Sequence, residues 1–342
     1  MRQLYYEGPR TLVWHDVPEP TVQADHEVLV STIAATTCDV DFAVIMGLSP
    51  FQPPFSLGHE SIARVVDMGD AVHGFEIGDI VSVPYHRSCG TCGPCKDHLP
   101  LHCDQNEGPL LPTYGFPHAG EWGGMFSEKY RVPWASRSLV KLPENVDPLA
   151  AVSLGDNLTD AWSTTVPHIR KKPGAKVLIT SFGGYGLYAA QWALAADASL
   201  VTYVDHDLDR LRLAEKLGAH ALEWDPRLRS NETYDVIVNA RMGQEPLEFA
   251  LRSAAPGAIC HNCIIFFENI PLPLGPMHTS GVTFISTYCH ARNFMEQTAE
   301  DLAANMINPR LVESEIVALD DAPERLAMPS HKPILLFEQG LH

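Results

Sequence analysis

The stretch Lys176-Val177-Leu178-Ile179-Thr180-Ser181-Phe182-Gly183-Gly184-Tyr185-Gly186, running on into the small-residue segment Leu187 to Ala196, decides the fold class. An apolar strand, a glycine turn and a helix follow one another without interruption. A second strand, Leu200 to Val204, ends at Asp205, nineteen residues after Gly186. This is the fingerprint of a dinucleotide-binding βαβ unit. Gly183 lets backbone approach a pyrophosphate, Gly186 permits close helix-to-strand packing, and the helix N-terminus offers amides and a positive dipole to phosphate. Ser181 stands where the first glycine of the pattern is usual. Ser181, Gly183, Gly184, Tyr185 and Gly186 therefore form the expected cofactor turn. Asp205 is expected to accept the ribose 2′-hydroxyl of NAD and to repel the 2′-phosphate of NADP, and Arg210 joins it on the cofactor side. The helix Leu208 to Leu217 should end at Gly218. Further strands are expected at Tyr234–Asn239 and Ala258–Cys260, where Cys260 and Cys263 read as buried thiols.

Before this unit the chain reads differently. Up to about residue 150 it consists of short strand candidates, such as Glu27–Ile33 and Ser61–Val66, punctuated by Gly69-Asp70, Gly74 and Gly78-Asp79. A compact barrel-like fold of short strands follows. Within it lies Leu57-Gly58-His59-Glu60, with Cys38 twenty-one residues earlier and Asp156 well after it. A thiolate, an imidazole and a carboxylate suit zinc, and three protein ligands with an open position describe a catalytic site. Asp41 is placed as the acceptor for the other nitrogen of His59.

Cys89, Cys92, Cys95 and Cys103 have two, two and seven residues between them, with Gly and Pro in the intervals. Four thiolates so spaced close round one ion tetrahedrally, and with no second cysteine group nearby zinc is preferred to an iron–sulfur cluster. This second zinc should be structural. Trp122, Phe126 and Tyr130, with Tyr85 ahead of the cysteine lobe, are candidates for an apolar substrate pocket.

Composition sets the bounds. A length of 342 residues suggests two domains, and a net charge of −18 argues against nucleic acid or an acidic membrane face as partner. The N-terminus has no signal-peptide core, and no run approaches a membrane span, so a soluble cytoplasmic protein is expected. Eight cysteines in that compartment point to thiols and metal ligands.

Taken together, Cys38, Gly58-His59-Glu60, the four-cysteine lobe, Asp156 in Leu154-Gly155-Asp156-Asn157-Leu158-Thr159, the glycine turn and Asp205 resemble the zinc-dependent medium-chain alcohol dehydrogenase family. The resemblance covers nearly the whole chain. It implies an α/β architecture: a GroES-like β-rich catalytic domain at 1–155 with a zinc lobe near 86–104, a Rossmann NAD-binding domain at 156–288, and a C-terminal return to the catalytic domain at 289–342. It further implies Cys38, His59 and Asp156 as ligands of a catalytic zinc, with Asp where other members carry Cys. Glu60 resembles the acid beside the metal that can transiently ligate it. Lys332 resembles a basic residue that contacts the cofactor pyrophosphate.

Three positions depart from the family pattern. Ala63 replaces a glycine of the zinc signature. Val40 stands where a Ser or Thr hydroxyl commonly begins a proton relay, and Asp160 where a Thr near the nicotinamide is usual. The expected activity is hydride transfer between NAD(H) and an alcohol with its aldehyde or ketone, with two zinc ions per chain and Asp160 as candidate proton carrier. The alternative on the same scaffold is reduction of an iminium or conjugated C=C bond. A homodimer or homotetramer is expected from the family.

Overall fold

The computed structural model describes residues 1–106, 112–313, 315–328 and 332–338. The chain divides into two compact units, Met1–Thr159 with His290–His342, and Asp160–Cys289. The division falls within the helix Asn157–Lys171, so Asp156 lies in the same unit as Cys38 and His59 rather than opening the cofactor unit.

The second unit is a six-stranded, wholly parallel sheet. Its spatial order is His220–Glu223, Leu200–Asp205, Lys176–Ser181, Tyr234–Ala240, Ala254–Asn262 and Thr283–Ser286. The first strand in sequence, Lys176–Ser181, thus sits at the centre, and chain order reverses beside it. Ligands bind outside the carboxyl ends of strands at such a switch point. The glycine turn occupies that place, and the helix Gly184–Ala195 starts inside it. Gly186 is required by contact: a Cβ there would overlap the Ser181 side chain. The helix Leu208–Leu217 begins with Asp207, whose carboxylate accepts from the backbone of Asp209 and Arg210, and ends at Gly218 with φ +106°.

In the first unit, Val28–Thr36 and Glu60–Met68 form the antiparallel centre of a seven-stranded sheet. The C-terminal strand Pro333–Leu336 pairs with Val28–Thr36, which is how the chain's end returns to this unit. Ala63 is fully buried opposite Thr32, so its methyl is absorbed in the core. A helix, Asp39–Ile45, interrupts the β-rich region directly after Cys38. Among the described residues no helix is long and apolar enough to cross a membrane.

Candidate active site

His59 owes its position to a backbone knot. Gly58 has φ +94°, a conformation that favours glycine, and a Cβ on it would overlap Phe126. Gly115 and Gly124 press equally closely on the backbone of Gly58 and Leu57, and Met125 N–H donates to the Gly58 carbonyl at 2.8 Å. Gly124 is thus wedged into the support of the metal site.

The sulfur of Cys38, a ring nitrogen of His59 and a carboxylate oxygen of Asp156 lie within 4.8 Å of one another. That spacing is near what one ion with zinc–ligand bonds of about 2.0–2.3 Å spans. Burial, reinforced by the charge of Asp156, pushes the Cys38 thiol up to about 12. A thiol so placed ionises only against a cation. Burial opposes charge on His59 too, yet Asp41 and Asp156 carry it well above the usual imidazole range, so metal binding there releases a proton. The half-buried Cys38 and the buried His59 and Asp156 therefore fit a divalent ion.

Asp41 has two jobs. One oxygen accepts from the Cys38 backbone N–H at 2.9 Å, and the other faces His59 Nδ1 at 3.3 Å, although bent away from hydrogen-bond geometry. His59 Nε2 points the other way, toward Asp156 Oδ2 at 3.5 Å.

Glu60 is directed away from the ligand set. Its carboxylate accepts from Ser153 Oγ at 2.9 Å, Asn157 N–H at 2.9 Å and Lys332 Nζ at 2.7 Å. Burial pushes it up to about 7 against the pull of Lys332. The pyrophosphate contact expected of Lys332 is corrected here: its ammonium is wholly buried and donates to Thr37 O, Glu60 Oε2 and Asn157 Oδ1. Three donors and three acceptors leave the group nothing to offer a phosphate.

The aromatic expectation is also narrowed. Tyr85 meets the His59 ring edge-on at 6.2 Å, but Phe126 and Tyr130 are core, and Trp122 lies between the guanidinium groups of Arg87 and Arg131. Phe116, unremarked in sequence, lies closer, 5.0 Å from His59, and Phe51 extends the wall behind it. Val40 stands in the first turn of the helix Asp39–Ile45 and presents no hydroxyl.

The cysteine lobe brings the sulfurs of Cys89, Cys92, Cys95 and Cys103 within 4.8 Å of one another. Backbone N–H groups of Thr91, Cys92, Cys103's neighbour Asp104 and Cys89 itself point at these sulfurs. Burial opposes ionisation of Cys89, but the bonds from Thr91 and Cys92 bring it down to about 6. Burial pushes the Cys95 and Cys103 thiols the other way, so these donors favour a thiolate at Cys89.

In the second unit, Asp205 differs from expectation. Its side chain has no exposed surface, and its oxygens take five donors: Tyr203 Oη, His206 N, Asp207 N, and Arg210 through Nε at 2.7 Å and a terminal nitrogen at 2.8 Å. Burial lowers Arg210, but Asp205 outweighs it and raises the guanidinium above its ordinary value. The acid read as open to a ribose is held in a buried pair. Arg241, not foreseen, donates to Ser181 O at 3.1 Å and packs over Trp224. Tyr185 is buried at the glycine turn, its hydroxyl 3.2 Å from Cys263 Sγ and 3.1 Å from Thr164 Oγ1. Asp160 lies in the first turn of the helix Asn157–Lys171, and its charge adds to burial in raising Tyr185 and Cys263.

A family model for the alcohol dehydrogenase GroES-like domain matches residues 24–144. A solved alcohol dehydrogenase from Thermus sp. ATN1 superposes with a TM-score of 0.89 at 27% identity, over 98% of this chain and 99% of that one. The chain is thus similar over nearly its whole length to zinc-type alcohol dehydrogenases. A zinc-type alcohol dehydrogenase-like protein of Schizosaccharomyces pombe is 26% identical over 95% of this chain and 86% of its own length. A glutathione-independent formaldehyde dehydrogenase of Pseudomonas aeruginosa is 31% identical over 64% of this chain. The chain spans only 55–58% of the length of the relatives it matches at 30–31% identity.

Proposed function

We propose that the protein is an NAD-dependent alcohol dehydrogenase holding two zinc ions per chain, interconverting an alcohol and its aldehyde or ketone. The observation that carries this reading is the convergence of the half-buried Cys38 with the buried His59 and Asp156 beside an aromatic wall. Zinc bound there supplies Lewis-acid polarisation of a substrate oxygen, and the nicotinamide supplies or accepts the hydride. The chain does the positioning. Asp41 fixes the ring of His59, Tyr85 and Phe116 keep water from the metal side, and Lys332 with Ser153 holds Glu60 aside.

Val40 cannot carry a proton, so Asp160 is assigned that task, its charge acting on the buried Tyr185 of the cofactor unit. The preference for NAD rests on the fixed charge of Asp205. A 2′-phosphate would meet a carboxylate whose cationic partner, Arg210, is already engaged. The names of the relatives favour alcohol chemistry over the reduction of an iminium or C=C bond. Assembly as a homodimer or homotetramer belongs to the same proposal.

The test is NADH formation or consumption across a panel of alcohols, aldehydes, ketones, imines and enones, repeated with NADP and in Cys38→Ser. Turnover of alcohols with NAD, lost in Cys38→Ser, is expected. Activity confined to imines or enones, or equal efficiency with both cofactors, would overturn the corresponding part.

A further inference from the structure

Asn157 follows the ligand Asp156 and touches more of the metal site than any residue the sequence pointed to. Its side-chain Nδ2 donates to Cys38 Sγ at 3.1 Å and to Asp156 Oδ2 at 2.9 Å. Its Oδ1 accepts from Lys332 Nζ at 2.8 Å, and its backbone N–H donates to Glu60 Oε1 at 2.9 Å. The residue is 5% exposed.

The amide can sit only one way round. An ammonium has donors and no acceptor, so the end facing Lys332 is the carbonyl. A thiolate and a carboxylate have acceptors and no donor, so the other end is the NH2 group. Lys332 therefore sets the direction of the amide, and both N–H bonds fall on the two anionic metal ligands at once. A hydrogen bond to a thiolate draws electron density from sulfur. A hydrogen bond to the carboxylate oxygen fixes which lone pair remains for the metal. Both reduce the charge the ligands give to the ion and hold them at one separation.

We infer that Asn157, oriented by Lys332, is a positioning residue of the metal site: it clamps Cys38 and Asp156 together and tunes the Cys38 sulfur. This rests on the zinc reading above and adds to it a residue that touches neither metal nor substrate. Groups that orient metal ligands typically account for about 10–100-fold in metal affinity.

The experiment uses the full chain, stripped by chelator and reloaded with cobalt(II). Cys38→Ser gives the baseline for the cysteine lobe alone, and the difference spectrum isolates the Cys38 site. Asn157→Leu keeps the volume and removes both N–H bonds. Its affinity at that site, by competition with a chromophoric chelator, should fall about 10–100-fold. The sulfur-to-cobalt charge-transfer band should move to lower energy, because the thiolate has lost its donor. The lobe's metal content should be unchanged. If Asn157→Leu does not fold, Asn157→Ala, which only deletes atoms, is read in the same two assays. An affinity within about twofold of wild type with an unmoved band would overturn the inference while leaving the metal site intact. Wild-type protein that takes up metal only in the cysteine lobe would instead sink the zinc reading itself.

Discussion

Replacing Arg210 by Met tests whether the buried pair at the end of strand Leu200–Asp205 holds the cofactor unit together. Methionine keeps the apolar stem and removes the guanidinium, so the bonds lost are those at 2.7 and 2.8 Å to Asp205. Hydrogen bonds to charged groups contribute about 1.5–3 kcal/mol each, which puts the pair at roughly 3–6 kcal/mol. Breaking one side of a buried ion pair costs about 3–5 kcal/mol by a separate route, since a charge is left unpaired. Side-chain exposure of 9% for Arg210 and 0% for Asp205 rules out the discount that applies to surface pairs. Tyr203, His206 and Asp207 still donate to the carboxylate, so the lower end, about 3 kcal/mol, is expected. In a unit of this size each kcal/mol moves Tm by roughly 3–5 °C, giving a fall of about 9–15 °C. Scanning calorimetry of the whole chain measures it. Asp205→Asn combined with Arg210→Met should recover more than half of the loss, because no charge is then stranded. A single Arg210→Met variant melting within about 2 °C of wild type would refute the reasoning.

Gly58→Ala should cost about 1–3 kcal/mol for overlap with Phe126 and about 1–2 kcal/mol more for the left-handed backbone, and should lower metal content with it; urea unfolding and metal analysis check both. Cys38→Ser should remove one zinc per chain with little loss of stability, whereas Cys95→Ser should remove the other and lower Tm; loss of stability in Cys38→Ser alone would reverse the two roles. Asp160→Asn should slow alcohol turnover by about 10²–10⁴ and Val40→Thr should partly restore it; an unchanged rate in Asp160→Asn with zinc and NAD bound removes Asp160 from the mechanism. Burial, then His168, lowers His261 to about 4. The unfolded chain therefore takes up this proton near pH 6.5 and the folded one only near pH 4, so this contribution to stability is complete above about 6.5 and lost as pH falls between the two values. Melting curves across that range should show the loss, and His261→Asn should flatten it.

What the sequence determined alone are the features set by neighbours along the chain. The helix Leu208–Leu217 has the bounds its periodicity and Gly218 indicate, and the strand Lys176–Ser181 lies where the apolar run places it. The spacing of the four cysteines makes one lobe because a short loop can reach one ion. The turn at Ser181 to Gly186 is equally local. The tertiary structure decided which partners Glu60, Asn157 and Lys332 take, because those partners lie far apart in sequence. Lys332 and Glu60 are 272 residues apart, and only the pairing of Pro333–Leu336 with Val28–Thr36 brings the ammonium to the carboxylate rather than to a phosphate. Asn157 and Cys38 meet across 119 residues. Asp205 was recognisable from its place at a strand end, but its five donors include an arginine one helical turn away, so its state depended on which of two attractive partners a buried carboxylate meets first. Burial makes any unpaired charge costly, and the fold satisfies each with whatever donor it brings within reach. That choice is not written in any local stretch of the chain.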